Sequence, residues 1–357
     1  MRRRRPVRLR RSDLTAASSN RSRCRTSDAS WTNYWALPRR HALPRCGSVY
    51  AVIGGMFGRP WVLVLAAGAG RRLSNVTGQV PKQFFRPADG PSLLENTLDR
   101  LGDIAEPRRT VTVVDKTHRK LVSELNLGRR LGEVLYQEQD RGTAAGVLLG
   151  LSSIIEQMPH AFVLMTPSDH AVSQGWQFRA GLTMAMGEVS TGRTDIVLFG
   201  AEPTNASPDY GWITPSGNGP TVRSVDTFVE KPTREEATHL LRTGAVWNTM
   251  VLLARASALE RLFVTHLPEH AAVFAHARTL NAVDRSGFMH EAYAQLPFAD
   301  FSRDVLTPAN GLSLYTWPAS MGWSDLGTPE RFNAWNRSMG RWAMTGTDHY
   351  AASPIRY

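Results

Sequence analysis

The stretch from Trp61 to Phe85, WVLVLAAGAGRRLSNVTGQVPKQFF, constrains the fold more than any other. Its apolar run, Trp61 to Ala67, has the length and branching of a strand buried on both faces, as in a parallel sheet. Gly68-Ala69-Gly70 then turns the chain. With no Cβ in the way, backbone N–H groups of such a turn can come close to a phosphate. Arg72, and Lys82 after nine intervening residues, supply fixed cations to neutralise a polyphosphate held there. Two familiar phosphate loops are excluded by the letters. The dinucleotide fingerprint needs a third glycine where Leu73 stands, and the Gly-Lys-Ser/Thr of a P-loop is absent.

The rest of the chain fits around such a strand. Ser92 is placed as N-cap of a helix over 92–101, and a β-branched strand is expected over 110–114. A helix over 117–127, a strand at 134–136, a helix over 143–158 and a strand over 161–165 follow. Helix 176–189 and strand 195–199 continue the rhythm. Alternation of this kind predicts an open, mostly parallel α/β sheet with helices on both faces. After Pro203 the pattern changes: 210–214 and 221–229 alternate as antiparallel strands around a Ser216-Gly217-Asn218-Gly219 turn, forming an insertion. A helix over 234–243, a strand over 250–254, a mostly helical stretch 257–296, a strand 312–317 and a helix 329–338 close the chain. Ligands of such sheets sit at the C-terminal strand ends.

Charge at first suggests a nucleic-acid partner, since the net charge is +11. Its location argues otherwise. Residues 1–55 hold 13 arginines against only Asp13 and Asp28, and the remainder balances 29 basic with 29 acidic side chains. The basicity therefore belongs to an N-terminal extension, expected to be disordered for want of apolar groups. Met56 reads as an alternative start for the 56–340 domain, with 341–357 a polar tail. A nucleic-acid-binding arm would predict salt-sensitive binding lost with residues 1–55, but the neutral domain disfavours it. Both cysteines, Cys24 and Cys46, lie in the extension, so disulfide, thiolate-metal and cysteine-nucleophile chemistry are excluded from the domain. No apolar run reaches the roughly 18 residues of a membrane span. Ser12-Asp13-Leu14-Thr15, not an apolar core, follows the arginines of residues 2–11, so a secretory signal is not expected. A cytoplasmic protein without membrane or nucleic-acid partners is expected.

The glycine turn with R-x(9)-K-Q-F resembles the signature of sugar-1-phosphate nucleotidyltransferases, whose general form is L-A-G-G-x-G-T-R-L…P-K. Its P-K-Q-F ending is similar to mannose-1-phosphate guanylyltransferases, and also to the cytidylyltransferase of isoprenoid synthesis. Later motifs separate the two. Thr166-Pro167-Ser168-Asp169-His170 closes strand 161–165, and a carboxylate there faces the ligand crevice and suits Mg²⁺. Read alone it is as well an N-cap; as P-S-D-H it resembles the guanylyltransferases. Asp209-Tyr210-Gly211-Trp212-Ile213, Phe228-Val229-Glu230-Lys231-Pro232, Trp247-Asn248-Thr249 and Gly322-Trp323-Ser324-Asp325-Leu326-Gly327 resemble further family motifs in family order. Met250 stands where guanylyltransferases usually have glycine.

The resemblance implies a Rossmann-like nucleotide-diphospho-sugar transferase fold and a role for each matched residue. The nucleotide would lie on Ala66, Ala67, Gly68, Gly70, Arg72, Lys82 and Thr143, its base near Gln137 and Gly142. Gly211, Glu230, Asn248 and Thr249 would hold the sugar and Lys231 its phosphate. Asp169 and Asp325 would bind Mg²⁺. The implied reaction joins a hexose 1-phosphate to a nucleoside triphosphate and releases pyrophosphate, catalysed mainly by positioning and charge neutralisation through Arg72, Lys82, Lys231 and the two aspartates. GTP and mannose 1-phosphate are the implied pair. Gly327-Thr328-Pro329-Glu330-Arg331 looks instead like glucose-1-phosphate enzymes, so uridylyl or thymidylyl transfer stays open, as do a catalytically silent sugar-nucleotide sensor and a homodimeric assembly. Asp300 to Asp304 receives no role.

Overall fold

A computed structural model describes residues 58–345 apart from 88–89 and 218–220. The basic extension, the residues beyond 345 and part of the 216–219 turn lie outside the described residues.

The expected order of elements is present. The strands are β1 (Trp61–Ala66), β2 (Thr110–Asp115), β3 (Glu133–Gln137), β4 (Phe162–Pro167), β5 (Ile196–Ala201), β6 (Gly211–Pro215), β7 (Val222–Glu230), β8 (Val246–Arg255) and β9 (Ser313–Trp317). The helices are α1 (Leu93–Leu101), α2 (Arg119–Glu124), α3 (Gly142–Gln157), α4 (Gly175–Ser190), α5 (Arg234–Arg242), α6 (Ala256–His266), α7 (Pro268–Thr279), α8 (Ala282–Gln295) and α9 (Pro329–Thr345). Ser92 caps α1 as expected: its side chain accepts from Glu95 N–H while the Glu95 carboxylate accepts from Ser92 N–H. Reciprocal capping of this kind is worth about 1 kcal/mol. The expected 117–127 helix is shorter than its periodicity suggests, because Lys116–His118 form a tight turn and Asn126 takes a left-handed conformation.

One mixed α/β sheet of nine strands runs β3-β2-β1-β4-β8-β5-β9-β7-β6. Strands β1 to β4 are parallel, with Leu63 beside Val111 on one side and Met165 on the other. Helices cover both faces, and side chains of β1 alternate between the two cores: Leu63 packs with α3, Val62 and Val64 with α1 and α4. The antiparallel insertion is the hairpin β6–β7, which joins the same sheet through β9 and β8.

Strand β8 is the element the sequence leaves half hidden. It is antiparallel to both neighbours, β4 and β5, and starts four residues before the expected 250–254 strand. Residues 246–249 are buried on both faces, so no alternation marks them. A register shift interrupts the ladder: Phe199 pairs with Val251 but Gly200 with Asn248, leaving Thr249 and Met250 as a bulge. Met250 there has φ +57°. Because β8 runs opposite to β1 and β4, its beginning reaches the same edge of the sheet as their C-terminal ends. Asn248 is thereby brought to the edge where β1 and β4 end.

Gly142 opens α3 with φ +83°, and a Cβ on it would lie 2.1 Å from the Ala299 carbonyl oxygen. That carbonyl accepts the Ala144 N–H, and Ala299 N–H donates to Arg141. The segment before the short π-helix Phe301–Leu306 is thus stitched to the start of α3. Gly142→Ala combines left-handed strain with a backbone clash, and is expected to cost more than about 2 kcal/mol in a urea melt. An unchanged midpoint would show that the stitch can yield.

Candidate active site

The C-terminal ends of β1, β3 and β4 surround a cavity of about 370 Å³. Its lining includes Ala67, Gly68 and Gln83 from the glycine turn, Gln137 and Asp140 after β3, and Gly142 and Thr143 at the start of α3. Asp169 and His170 after β4, with Met250, Phe298 and Asp300, complete it. A Cβ at Gly68 would meet nothing within 4 Å, whereas one at Gly70 would lie 2.7 Å from the Lys82 backbone nitrogen. The second glycine therefore lets the chain fold back on itself, and the first borders open space. Gln83, to which the sequence reading gave no role, fixes this turn: its Nε2 donates to the carbonyls of Ala66 (2.8 Å) and Gly68 (2.9 Å).

Lys82 is buried. Its ammonium lies 3.0 Å from Asp169 Oδ2 and also donates to the Asp325 carbonyl. Burial works to raise the Asp169 pKa, but the ammonium beside it prevails and holds the carboxyl below its ordinary value. His170, 3.9 Å from Asp169 through Nε2, is driven by burial down to about 4 and is neutral, with Nδ1 buried and without a hydrogen-bond partner among the described residues. Arg72 is exposed on the single turn Arg71–Leu73.

The Asp325 carboxylate is one-sided. Its Oδ1 accepts from the Tyr210 hydroxyl (3.0 Å) and the Gly327 N–H (3.0 Å) and faces Arg331 Nε at 3.3 Å. Oδ2 makes no such contact among the described residues. No three His, Cys, Asp or Glu side chains gather as a metal site among the described residues. Two carboxylates with oxygen to spare nevertheless suit Mg²⁺, which binds through one or two carboxylates and takes its remaining ligands from phosphates and water.

Beside the cavity, joined to it through Met250 and Asp300, lies the second group of expected residues. A Cβ at Gly211 would lie 2.5 Å from Glu230 Oε2 and 3.3 Å from Asn248 Cβ, so the absent side chain lets these two come together. Asn248 Nδ2 donates to Ser302 Oγ (3.3 Å), and its Oδ1 accepts from Met250 N–H (3.1 Å). Lys231 is exposed, at φ +49°, with its ammonium 3.6 Å from Glu230. Thr249 stands apart. It is fully buried, its hydroxyl donates to the Phe199 carbonyl, and it holds the bulge rather than lining the cavity.

Gln137 is 5% exposed, with Nε2 donating to the Tyr293 hydroxyl at 2.7 Å, so the cavity wall is braced from α8. Thr143 Oγ1 donates to Asp300 Oδ2 and accepts from Phe301 N–H, which assigns the 300–304 segment to this wall. Its letters resemble a family segment without fixing the register, and the contacts with Thr143 and Asn248 place it.

A protein-family model described as "Nucleotidyl transferase" matches residues 61–340. The alginate biosynthesis protein AlgA of Pseudomonas fluorescens is 29% identical over 275 residues, 74% of this chain and 56% of its own. A mannose-1-phosphate guanylyltransferase of Sinorhizobium fredii is 28% identical over 276 residues, 74% of this chain and 52% of its own. The chain thus spans about half the length of these curated relatives. Among solved structures, one described as mannose-1-phosphate geranyltransferase from Thermus thermophilus superposes with TM-score 0.67 at 27% identity, over 75% of this chain and 76% of that one.

Burial, with Asp300 nearby, raises the Glu230 pKa despite Lys231. A carboxyl raised in the folded state binds its proton more tightly there than in the unfolded chain. Its ionised form therefore weakens the fold above the folded pKa, and that cost disappears as pH falls below the unfolded value. Glu230→Gln is accordingly expected to raise the melting temperature at pH 7.5, with the gain fading toward pH 4. Calorimetric melts across that range test it, and a gain independent of pH would refute the assignment.

Proposed function

The chain belongs to the nucleotidyl transferase family, and on that premise we propose that it transfers a nucleoside monophosphate from GTP to mannose 1-phosphate, forming GDP-mannose and releasing pyrophosphate. The observation that carries this reading is the pairing of two neighbouring sites. One is a cavity with a glycine turn, Lys82 and Asp169 at its edge; the other is the Gly211–Glu230–Asn248 cluster beside it. The names of the Sinorhizobium and Thermus relatives support mannose 1-phosphate, and the former supports guanylyl transfer.

An oxygen of the sugar phosphate attacks the α-phosphorus of the triphosphate. The bond from that phosphorus to the oxygen bridging toward the β-phosphate breaks, and pyrophosphate leaves with the electron pair. The obstacle is bringing two polyanions together. The open Gly68 backbone and the cations Arg72 and Lys82 receive the triphosphate, while Lys231 meets the sugar phosphate. Glu230 and Asn248 hold the sugar hydroxyls, and Gln137 and Gly142 meet the base. A sugar phosphate is ionised near neutral pH, so no side chain has to remove a proton, and the neutral His170 is not needed as a base. Asp169 and Asp325 would hold Mg²⁺, whose charge, when bound, neutralises phosphate oxygens that meet at the reacting phosphorus.

Pyrophosphate release by the full chain tests the proposal, using a panel of triphosphates against mannose 1-phosphate and glucose 1-phosphate in the presence of Mg²⁺. Release with GTP and mannose 1-phosphate is expected, and Asp325→Asn should lower kcat by roughly 10²-fold or more with the fold intact. Release with another pair alone would replace the substrates. No release with any pair from folded protein would overturn catalysis altogether.

A further inference from the structure

We propose that Tyr210 and Arg331 form a clasp that positions the Asp325 carboxylate for its cation, tying the sugar-side loop Asp209–Gly211 to the cation site. The proposal rests on the reading of Asp325 as a cation ligand.

Three contacts converge on one oxygen. Asp325 Oδ1 meets the Tyr210 hydroxyl, the Gly327 N–H and Arg331 Nε, while Oδ2 is left without a partner among the described residues. Two hydrogen bonds on one oxygen, with the guanidinium beside it at ion-pair distance, orient the carboxylate and leave the other oxygen without a hydrogen-bond partner among the described residues. The hydroxyl between them has a defined direction: Arg331 Nη1 donates to it at 2.7 Å, so its own proton goes to Asp325. Arg331 hydrogen-bonds through both terminal nitrogens, while its Nε only lies at ion-pair distance from Asp325. Beyond Nε and Nη1, its Nη2 lies 3.3 Å from Asp209 Oδ2, and its Cζ sits 4.8 Å over the Tyr210 ring. A lysine offers neither the planar fork nor the stacking.

The clasp is itself held rigidly. The Tyr210 ring packs between Trp247 (4.6 Å) and Trp323 (5.4 Å), the residues preceding Asn248 and Ser324. On the other side, Leu326 adopts φ +48° and is fully buried with Leu73, Leu93 and Phe332. That conformation costs about 1–2 kcal/mol for a leucine, and the packing of its side chain holds it there. The residue beside Asp325 is thus locked in place by burial and the carboxylate by the clasp. Tyr210 is followed by Gly211, whose missing side chain admits Glu230, so displacement of that loop reaches the carboxylate directly.

A positioning clasp and a mere counter-ion predict opposite results. Calorimetric titration of GTP into the full chain, with and without Mg²⁺, gives the gain in affinity that the cation confers. If the clasp positions Asp325, Arg331→Met lowers that gain about 5-fold and Arg331→Lys does not restore it. Tyr210→Phe lowers it by a smaller factor, and affinity without Mg²⁺ stays the same throughout. A larger gain in Arg331→Met, or full restoration by lysine, would mean that the guanidinium only neutralises Asp325, and would overturn the clasp. An unchanged gain in both Arg331→Met and Tyr210→Phe would overturn it as well. Asp325→Asn separates the two levels: loss of the gain there alone removes the clasp and keeps the cation site, and no loss there removes both.

Discussion

A buried ammonium has to be met by charge or by hydrogen-bond acceptors, and Lys82 is met by residues far away in the sequence. Its partners are the Asp169 carboxylate, at the end of β4, and the Asp325 carbonyl, beyond β9. Leaving such a group buried without partners costs several kcal/mol, so the three segments are held to one another. The adjacent Gln83 does the same for the turn after β1, through the Ala66 and Gly68 carbonyls. Two consecutive side chains therefore fasten the glycine turn, one acid and the loop bearing the other acid. The rest of the site is arranged about that junction.

The second organising constraint is the direction of β8. A wholly parallel sheet would deliver only the C-terminal ends of its strands to the ligand edge. An antiparallel strand between β4 and β5 delivers its beginning as well, and with it Asn248. The bulge at Thr249 and Met250 then re-aims the strand, and Asn248 is held by the Met250 N–H and Ser302. Thr249, matched by motif as a sugar contact, is consumed in making this bend. A motif letter in such a strand can serve the ligand or the backbone, and its spelling does not say which.

This explains what the sequence does and does not disclose. Strand β1, the Ser92 cap and the placement of Asp169 at a strand end were legible because each is a local property: apolar length, a capping pattern, a carboxylate after a buried run. The first half of β8 was not, since burial on both faces erases the alternation that would mark it. Asp300 carries no local signal either, for its place in the cavity wall depends on Thr143, which lies 157 residues earlier. Arg331 was visible only as part of a letter string resembling another specificity group, while its contacts reach Tyr210, 121 residues away. Long-range side-chain geometry of this kind has no periodicity to betray it.

Backbone strain points to the same region independently. Four non-glycine residues among those described have positive φ: Asn126, Lys231, Met250 and Leu326. Asparagine tolerates that conformation, and Asn126 lies in a turn away from the cavity. The other three immediately follow Glu230, the Asn248–Thr249 pair and Asp325. Lysine, methionine and leucine gain nothing locally from a left-handed backbone, so each persists because its surroundings enforce it. Together with the raised Glu230 pKa, this concentrates unfavourable terms around the residues read as holding sugar and cation. Met250 makes the point most sharply, for glycine would relieve its backbone while removing a side chain that lines the cavity and meets Ser302 Oγ at 2.9 Å. The shape of the pocket at that position is thus maintained against the preference of its own backbone.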